Sequence, residues 1–178
     1  MARSIERGDL ERLAIGAGIL GTGGGGNPYL GKLYSQRLLD EGATITLVDP
    51  SEVPDDALVT PVGSMGAPVV SVERVRRGDE FLVSLRALEK HIGREFTHVV
   101  CSEIGGSNST SPMVLGAQAG LPVVDGDGMG RAFPELQMDT YMIYGIRPTP
   151  AAISDPRGHV ALFDCLDEPN ALERYARA

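Results

Sequence analysis

Residues 98–131 read HVVCSEIGGSNSTSPMVLGAQAGLPVVDGDGMGR, and this stretch decides the predicted fold. It opens with a β-branched run from His98 to Cys101, which predicts a buried strand. Ser111 and Pro112 predict the start of a helix that stops at Gly120, because proline suits the first helical turn. A second buried strand is predicted from Leu121 to Val124. Strand, helix and strand in succession indicate a parallel or mostly parallel sheet.

The same alternation extends toward the N-terminus. Strands are predicted from Thr44 to Val48 and from Ala57 to Val62, and a helix from Asp79 to Ile92. The complete pattern predicts an α/β fold with a three-layer, Rossmann-like, mostly parallel sheet and helices on both faces.

The last forty residues have a different pattern. The turn sequence Asp155-Pro156-Arg157-Gly158 lies between short runs at 151–153 and 159–163, which predicts a C-terminal β-hairpin. A final helix is predicted from Asp167 to Ala178.

Two helices are predicted before the first of these strands. Asp9 is expected to cap the first, which ends near Gly21 and buries Leu10, Leu13, Ala14 and Ala17. Asn27 and Pro28 begin the second, which ends at Gly42. Its buried stripe is predicted to comprise Leu30, Leu33, Tyr34 and Leu38.

Composition limits the kinds of protein this chain can be. Its 178 residues, of which 42% are hydrophobic, predict a single domain over 1–178. The net charge of −8 argues against binding to nucleic acid or anionic membranes. A charged N-terminus and the absence of an apolar run of about 20 residues predict neither export nor a membrane span, so we expect a cytoplasmic protein. Cys101 and Cys165 lack the spacing of a disulfide scaffold or a zinc site.

Carboxylates follow two of the predicted strands. Glu103 begins the loop 103–108, and Asp125 and Asp127 begin the loop 125–131. Ligands of an open α/β sheet bind beyond the carboxyl ends of its strands, so these acids are expected at one edge. There they would share a divalent cation or serve as general acids and bases. The alternative is structural: the two aspartates form turns, and Glu103 caps a helix or pairs with Arg131.

A glycine run at 21–26 joins the first two helices. It does not match a nucleotide-binding loop, because a helix precedes it and no Lys-Ser or Lys-Thr pair follows. Its amides lead into the helix after Asn27 and are predicted to bind an anionic or carbonyl oxygen. A tight connection between helices is the other interpretation.

Three segments together resemble one protein family. They are IGAGILGTGGGGNPY at 15–29, EIGGSN at 103–108 and DGDGMGRAFPE at 125–135. The chain resembles the N-terminal domain of the S-methyl-thiohydantoin desulfurase family, which is associated with hydantoinases and oxoprolinases. Members continue into a second, β-rich domain. The resemblance implies hydrolytic removal of sulfur, as thiol or sulfide, from C2 of a thiohydantoin-like ring, with a divalent metal ion.

From loop position and residue type we assign roles within that chemistry. Glu103 and Asp125 are expected to act as metal ligands or general bases, with Asp127 as their partner. The substrate, a small cyclic amide or thioamide, is expected to contact Gly24, Gly25, Gly26, Asn27, Ser107, Asn108 and Arg131.

Other functions fit the same residues. An amide hydrolase acting on a related ring would use the same groups. The chain could instead be a small-molecule-binding or assembly subunit of a hydantoinase-type system without catalysis of its own. The β-rich domain of the family is an expected partner, and the sequence allows a homo-oligomer.

Overall fold

A computed structural model describes residues 2–22, 24–74 and 76–178 of the chain. Its helices and strands confirm the predicted mixed α/β fold. The helices are α1 (Arg7–Leu20), α2 (Pro28–Asp40), α3 (Pro68–Glu73), α4 (Glu80–Ile92), α5 (Ser111–Ala119), α6 (Thr140–Ile143) and α7 (Pro169–Arg177). The strands are β1 (Arg3–Ser4), β2 (Thr46–Val48), β3 (Val59–Val62), β4 (His98–Cys101), β5 (Val123–Asp127), β6 (Ala151–Ser154) and β7 (Val160–Phe163).

The main sheet has five strands in the order β1-β2-β5-β4-β3. All neighbouring pairs are parallel except β1 with β2, so the predicted mostly parallel sheet is confirmed. The edge strand β1 was not expected, because the two polar residues Arg3 and Ser4 carry no strand pattern of their own. It forms because the chain before α1 pairs with β2, placing Arg3 opposite Leu47.

Residue contacts divide the chain into two compact units. One comprises Met1–Ser64 and Phe96–Phe133 and contains the five-stranded sheet with α1, α2 and α5. The other comprises Met65–Glu95 and Pro134–Ala178. In it, α4 packs against the predicted hairpin β6–β7, whose turn closes with Gly158 at a φ of 86°.

The first helix begins earlier than expected. Its N-cap is Glu6, whose side chain accepts the N–H of Asp9, while the Asp9 carboxylate accepts the N–H of Glu6 over 2.9 Å. The prediction that Asp9 is the cap is therefore wrong, since Asp9 is the third helical residue and closes a capping box. Leu10 and Ala17 are buried as expected.

The buried face of α2 differs from the predicted one. Leu30 and Leu33 are exposed, whereas Lys32, Ser35 and Gln36 are buried. This helix packs against α5, and a Cβ at Gly31 would overlap the side chain of Thr110. Small side chains on that face allow a close approach, and so they turn the leucines outward.

The hydrophobic core of the sheet-containing unit lies along the central strands. Its most deeply buried apolar residues are Leu10, Ile45, Val99, Leu115 and Val123. Within the described part of the chain, no helix is long and apolar enough to cross a membrane.

Candidate functional site

The pairing of β5 with β4 is interrupted where the carboxylates lie. Val100 lies opposite Val124, but the next residue, Cys101, lies opposite Asp127. Two residues of β5, Asp125 and Gly126, therefore have no partner on β4. Such irregularities redirect side chains and are common beside active sites. This one gives Asp125 and Asp127 different environments, although they are two residues apart.

Asp125 is exposed. Its carboxylate makes no hydrogen bond or ion pair with any described residue. It lines a cavity of about 400 Å³ within the sheet-containing unit, together with Gly126 and Asp127. This volume lies within the usual range for small-molecule sites. Asp125 is thus a free carboxylate beside an open space.

Two arginines line the same cavity. Arg12 Nη2 lies 2.7 Å from Asp9 Oδ1, and Arg3 Nη1 lies 3.3 Å from the same oxygen. The N–H of Glu6 and the guanidinium groups of Arg12 and Arg3 hold the pKa of Asp9 below its usual range. Arg3 and Arg12 thus share one carboxylate, while the lining of the cavity contains two arginines and three aspartates.

Asp127 is bound into its own loop. Its Oδ2 accepts backbone N–H groups from Ile104 at 2.9 Å, Met129 at 3.0 Å and Gly130 at 2.6 Å. A carboxylate that accepts several N–H groups stabilises the turn that presents them. Asp127 therefore joins the loop after β5 to the loop after β4.

Glu103 is buried, with 8% of its surface exposed, and both of its oxygens have donors. Asn108 Nδ2 donates to Oε1 over 2.6 Å, and the N–H of Phe133 donates to Oε2 over 3.0 Å. Glu103 is not among the residues that line the cavity. Its carboxylate connects the loop after β4 to the segment that follows Arg131.

Asn108 extends this network to the loop after β3. Its Oδ1 accepts the N–H of Ser64 at 2.7 Å and the Ser64 hydroxyl at 2.8 Å, and its Nδ2 donates to the Ser64 carbonyl at 3.1 Å. Asn108 is buried, with 3% of its surface exposed. Its side-chain amide therefore makes these hydrogen bonds inside the protein. The sequence predicts no role for Ser64.

The glycine run packs directly on the loop after β4. Cβ atoms at Gly25 or Gly106 would overlap backbone atoms of the facing loop, and a Cβ at Gly21 would lie 2.5 Å from the Gly106 nitrogen. The Gly25 carbonyl accepts the N–H of Ser107 at 2.7 Å and its hydroxyl at 2.8 Å. The glycines therefore allow two backbones to touch, as expected where chains approach closely. Gly23, part of the same run, lies outside the described residues.

Several predicted substrate-binding groups are engaged internally. The Gly24 N–H donates to the Gly21 carbonyl, and Asn27 Oδ1 caps α2 by accepting the N–H of Tyr29 at 2.9 Å. Donors without a partner among the described residues remain on Gly25 and Gly26. Arg131 donates once, from Nη2 to the Thr22 carbonyl at 3.1 Å, and its other N–H groups are exposed.

The glycine run and the loops after β4 and β5 all lie within the part of the chain that a protein-family model matches. The model for the S-Me-THD-like, N-terminal domain matches residues 8–165. This chain belongs to that family. The match spans both compact units and includes all three segments on which the resemblance rests.

A crystal structure of a protein from Chromobacterium violaceum is similar to this S-Me-THD-like chain. The two share 30% sequence identity with a TM-score of 0.73, and the alignment covers 98% of this chain. It covers 50% of the other protein, so this chain spans half the length of that relative. No curated protein matches the chain significantly.

The carboxylates of the S-Me-THD-like domain differ in how well they suit the expected divalent metal ion. Glu103 is 8% exposed, does not line the cavity and accepts one N–H group at each oxygen, so in this arrangement it joins loops instead of facing the open space. Asp125 has free oxygens. Among the described residues, however, no group of three or more His, Cys, Asp or Glu side chains is placed to hold a metal.

The three predicted carboxylates have different surroundings in this S-Me-THD-like chain. Asp127 reaches the backbone beside Glu103, whereas Asp125 lines the cavity. The cavity is also lined by Arg3 and Arg12, for which the sequence predicts no role. No motif identifies Arg3, because its position depends on the pairing of β1 with β2.

Proposed function

We propose that this chain forms the N-terminal part of an enzyme that hydrolytically removes sulfur from C2 of a thiohydantoin-like ring and leaves a hydantoin. Membership of the S-Me-THD-like family supports this class of substrate. The observation that carries the proposal is the strand irregularity that directs the unpartnered Asp125 into a cavity.

The chemistry requires a base near C2. Water adds its oxygen to C2 while a carboxylate accepts one of its protons, giving a tetrahedral carbon. The C2–S bond then breaks with its electron pair on sulfur, and the hydroxyl at C2 loses its proton to leave C2=O. The two protons of the water end on the sulfur and the ring nitrogen when the substrate is an S-methyl ring, and both on the sulfur when it is a thione. Of the three proposed catalytic carboxylates, Asp125 has oxygens free to accept that proton. We therefore assign it the role of base.

Glu103 and Asp127 act as positioning residues in this proposal. Both accept N–H groups from neighbouring loops, so they hold the loops after β4 and β5 together. Preorganised loops keep a base within reach of its substrate.

The glycine-rich loop supplies the donors for the ring. Gly25 and Gly26 retain N–H groups, and Gly25 packs against Gly105, the neighbour of the cavity-lining Ile104. We assign the ring carbonyl to these donors and to the exposed guanidinium of Arg131, with Gly24, Asn27, Ser107 and Asn108 shaping the loop. This is the placement of ligands in Rossmann-like sheets, outside the carboxyl ends of the strands.

The divalent metal ion is a separate part of the proposal. Asp125 is the carboxylate with oxygens available to it, and its remaining ligands would come from the other half of a full-length protein, which we expect to be β-rich. Elemental analysis of the purified native protein and of its Asp125→Asn variant tests this: equal metal content in both would contradict it.

Thiol release tests the reaction itself. The purified native protein is incubated with an S-methyl-thiohydantoin, and methanethiol is measured with a thiol reagent. We expect release from the wild type, loss of at least about 100-fold in Asp125→Asn, the usual contribution of a general base, and full activity in Asp56→Asn, an exposed aspartate in the same unit. Ligand-induced stabilisation without thiol release would instead favour a non-catalytic subunit.

A further inference from the structure

The hairpin in the compact unit that contains Pro134–Ala178 has an open edge. Its strand β7 has the sequence VALF at 160–163, without a charged residue or a proline. Natural sheets commonly place such residues on their edge strands, because an unprotected edge pairs with strands of other chains. The outer edge of β7 therefore lacks a common form of protection.

Backbone hydrogen bonds show which groups of β7 face outward. The N–H of Asp155 donates to the His159 carbonyl over 3.1 Å, so this carbonyl points toward the β6 side. Because the direction alternates along a strand, Ala161 also points to β6, whereas the N–H and C=O groups of Val160 and Leu162 point away from it. No described residue bonds to these outward groups. The edge thus presents unpaired donors and acceptors.

The side chains at this edge are apolar and exposed. Val160 is 41% exposed and Leu162 is 43% exposed, and they lie opposite Ser154 and Ala152 on β6. Residues opposite each other share a face of the sheet, and on this face the Ser154 hydroxyl bonds to that of Ser84 on α4 over 2.8 Å. The helix therefore covers the face beside β6 and leaves the two side chains of β7 accessible.

A second copy of the same strand fits this edge. When two β7 strands run antiparallel with Ala161 opposite Ala161, Val160 of each copy lies opposite Leu162 of the other. Both are outward-pointing residues, so each of these pairs exchanges its N–H···O=C bonds in both directions. Their apolar side chains also meet across the strands, at about 5 Å between Cβ atoms. The arrangement has a two-fold axis at Ala161, as in the isologous interfaces of homodimers.

Charges at the ends of β7 favour the same antiparallel direction. Arg157, in the turn before the strand, is exposed and has no ion-pair partner among the described residues. Asp164, directly after the strand, is exposed and contacts His91, which is charged only when protonated. Antiparallel pairing brings the Arg157 end of each copy beside the Asp164 end of the other. Complementary charges therefore meet at both ends of the paired strands.

We propose that two copies of this chain pair through β7 and form a continuous antiparallel sheet in the order β6-β7-β7-β6. A two-stranded hairpin is marginally stable by itself, whereas additional strands with an apolar face stabilise a sheet. The shared surface is small, so we expect a dissociation constant of about 1–100 μM. The inference concerns assembly and does not depend on the proposed reaction.

Hydrogen–deuterium exchange of the native protein tests the pairing without any substitution. Exchange is read residue by residue by mass spectrometry, at protein concentrations below and above the dissociation constant found by analytical ultracentrifugation. The amides of Val160 and Leu162 should exchange about tenfold more slowly once roughly nine-tenths of the protein is dimeric, because they are then exposed only in the monomer. The amides of Ala152 and Ser154, which point outward on the other edge of the hairpin, should not change with concentration.

A charge exchange at the two-fold axis tests the register. Ala161 is exposed, and Ala161→Lys places two like charges opposite each other in the dimer. We expect this variant, and likewise Ala161→Glu, to dimerise about five- to tenfold more weakly than the native protein. An equal mixture of the two variants should recover native affinity, because opposite charges then meet. Ile146→Lys is the control, since Ile146 is 62% exposed in the same unit but lies outside β7, and its dimerisation should be unchanged.

Three results would overturn the proposal. The first is a native protein that remains monomeric with rapid exchange at Val160 and Leu162. The second is protection of these amides at every concentration, since their partner would then lie within one chain. The third is a dimer that Ala161→Lys does not weaken, or whose loss in the two single variants their mixture does not reverse, because its interface would then be a different surface or register.

Discussion

The amide of Asn108 donates a 2.6 Å hydrogen bond to the buried carboxylate of Glu103, and the same amide group bonds to Ser64. The pair connects loops that follow β3 and β4 in the parallel sheet. It is the centre of the polar network at this edge, and its strength can be measured by substitution.

In Glu103→Gln, an NH2 group replaces one of the two carboxylate oxygens. One of the two N–H groups that now donate to Glu103 would then face another donor. We expect the free energy of unfolding to fall by about 1–3 kcal/mol, the usual loss when a buried donor has no acceptor. Asn108→Asp should destabilise further, because two carboxylates would then face each other. Adding Glu103→Gln to Asn108→Asp should recover part of that loss. Additive effects in urea unfolding would contradict the direct contact.

Replacement by alanine should change stability much more at Asp127 than at Asp125, although the two are only two residues apart. Asp127→Ala removes an oxygen that accepts three N–H groups, and we expect a loss of about 2–3 kcal/mol. Asp125→Ala should change stability by less than about 0.5 kcal/mol, since its carboxylate has no described partner. Equal losses would mean that the irregularity in β5 does not separate their roles.

Gly106 should not tolerate alanine. Its φ is 58°, and a Cβ there would overlap the backbone of Gly25 and Gly26. Gly42 also has a positive φ, 93°, but a Cβ there would meet nothing within 4 Å. Gly42→Ala therefore measures the cost of the positive φ without any steric overlap. We expect Gly42→Ala to lose about 1–2 kcal/mol and Gly106→Ala clearly more, or no folded protein. A Gly106→Ala variant as stable as Gly42→Ala would refute the close approach of the loops.

Gly31 tests the unexpected packing face of α2. A Cβ at Gly31 would overlap Thr110, whereas one at Gly18 in α1 would meet nothing within 4 Å. Gly31→Ala should therefore destabilise the protein, while Gly18→Ala should stabilise it by up to about 1 kcal/mol through helix propensity. Thermal unfolding of both variants measures the contrast. Stabilisation by both would place Gly31 away from α5.

Acid should weaken the start of α1. The pKa of Asp9 is lowered by the Glu6 N–H, Arg12 and Arg3, so its ionised form stabilises the folded state. A carboxylate whose pKa is lowered by folding stabilises the folded state at pH values above its unfolded-state pKa of about 3.9. This stabilisation disappears as the pH falls through its folded-state pKa. The Asp9→Asn variant should thus melt below the wild type at pH 7, and the difference should shrink as pH falls below the unfolded pKa of about 3.9. A constant difference across this range would contradict the linkage.

Much of the local structure followed from the sequence. The run His98–Cys101 is a strand with the predicted bounds, α5 ends before Gly120 as expected, and the turn at 155–158 closes a hairpin. These features depend on side-chain periodicity, proline and glycine within a few residues. The segments of the S-Me-THD-like family were recognisable for the same reason, because each motif is contiguous.

Tertiary structure alone decided which face of α2 is buried, that Arg3 forms an edge strand, and that Asp125 rather than Glu103 lines the cavity. Each of these depends on contacts between segments far apart in sequence, such as Gly31 with Thr110 and Asn108 with Ser64. Hydrophobic pattern indicates that a residue prefers burial, but the space that a neighbouring backbone leaves determines whether it is buried. The sequence therefore determined which loops contain the carboxylates, and packing determined which of these carboxylates are bound within the protein and which one lines the cavity.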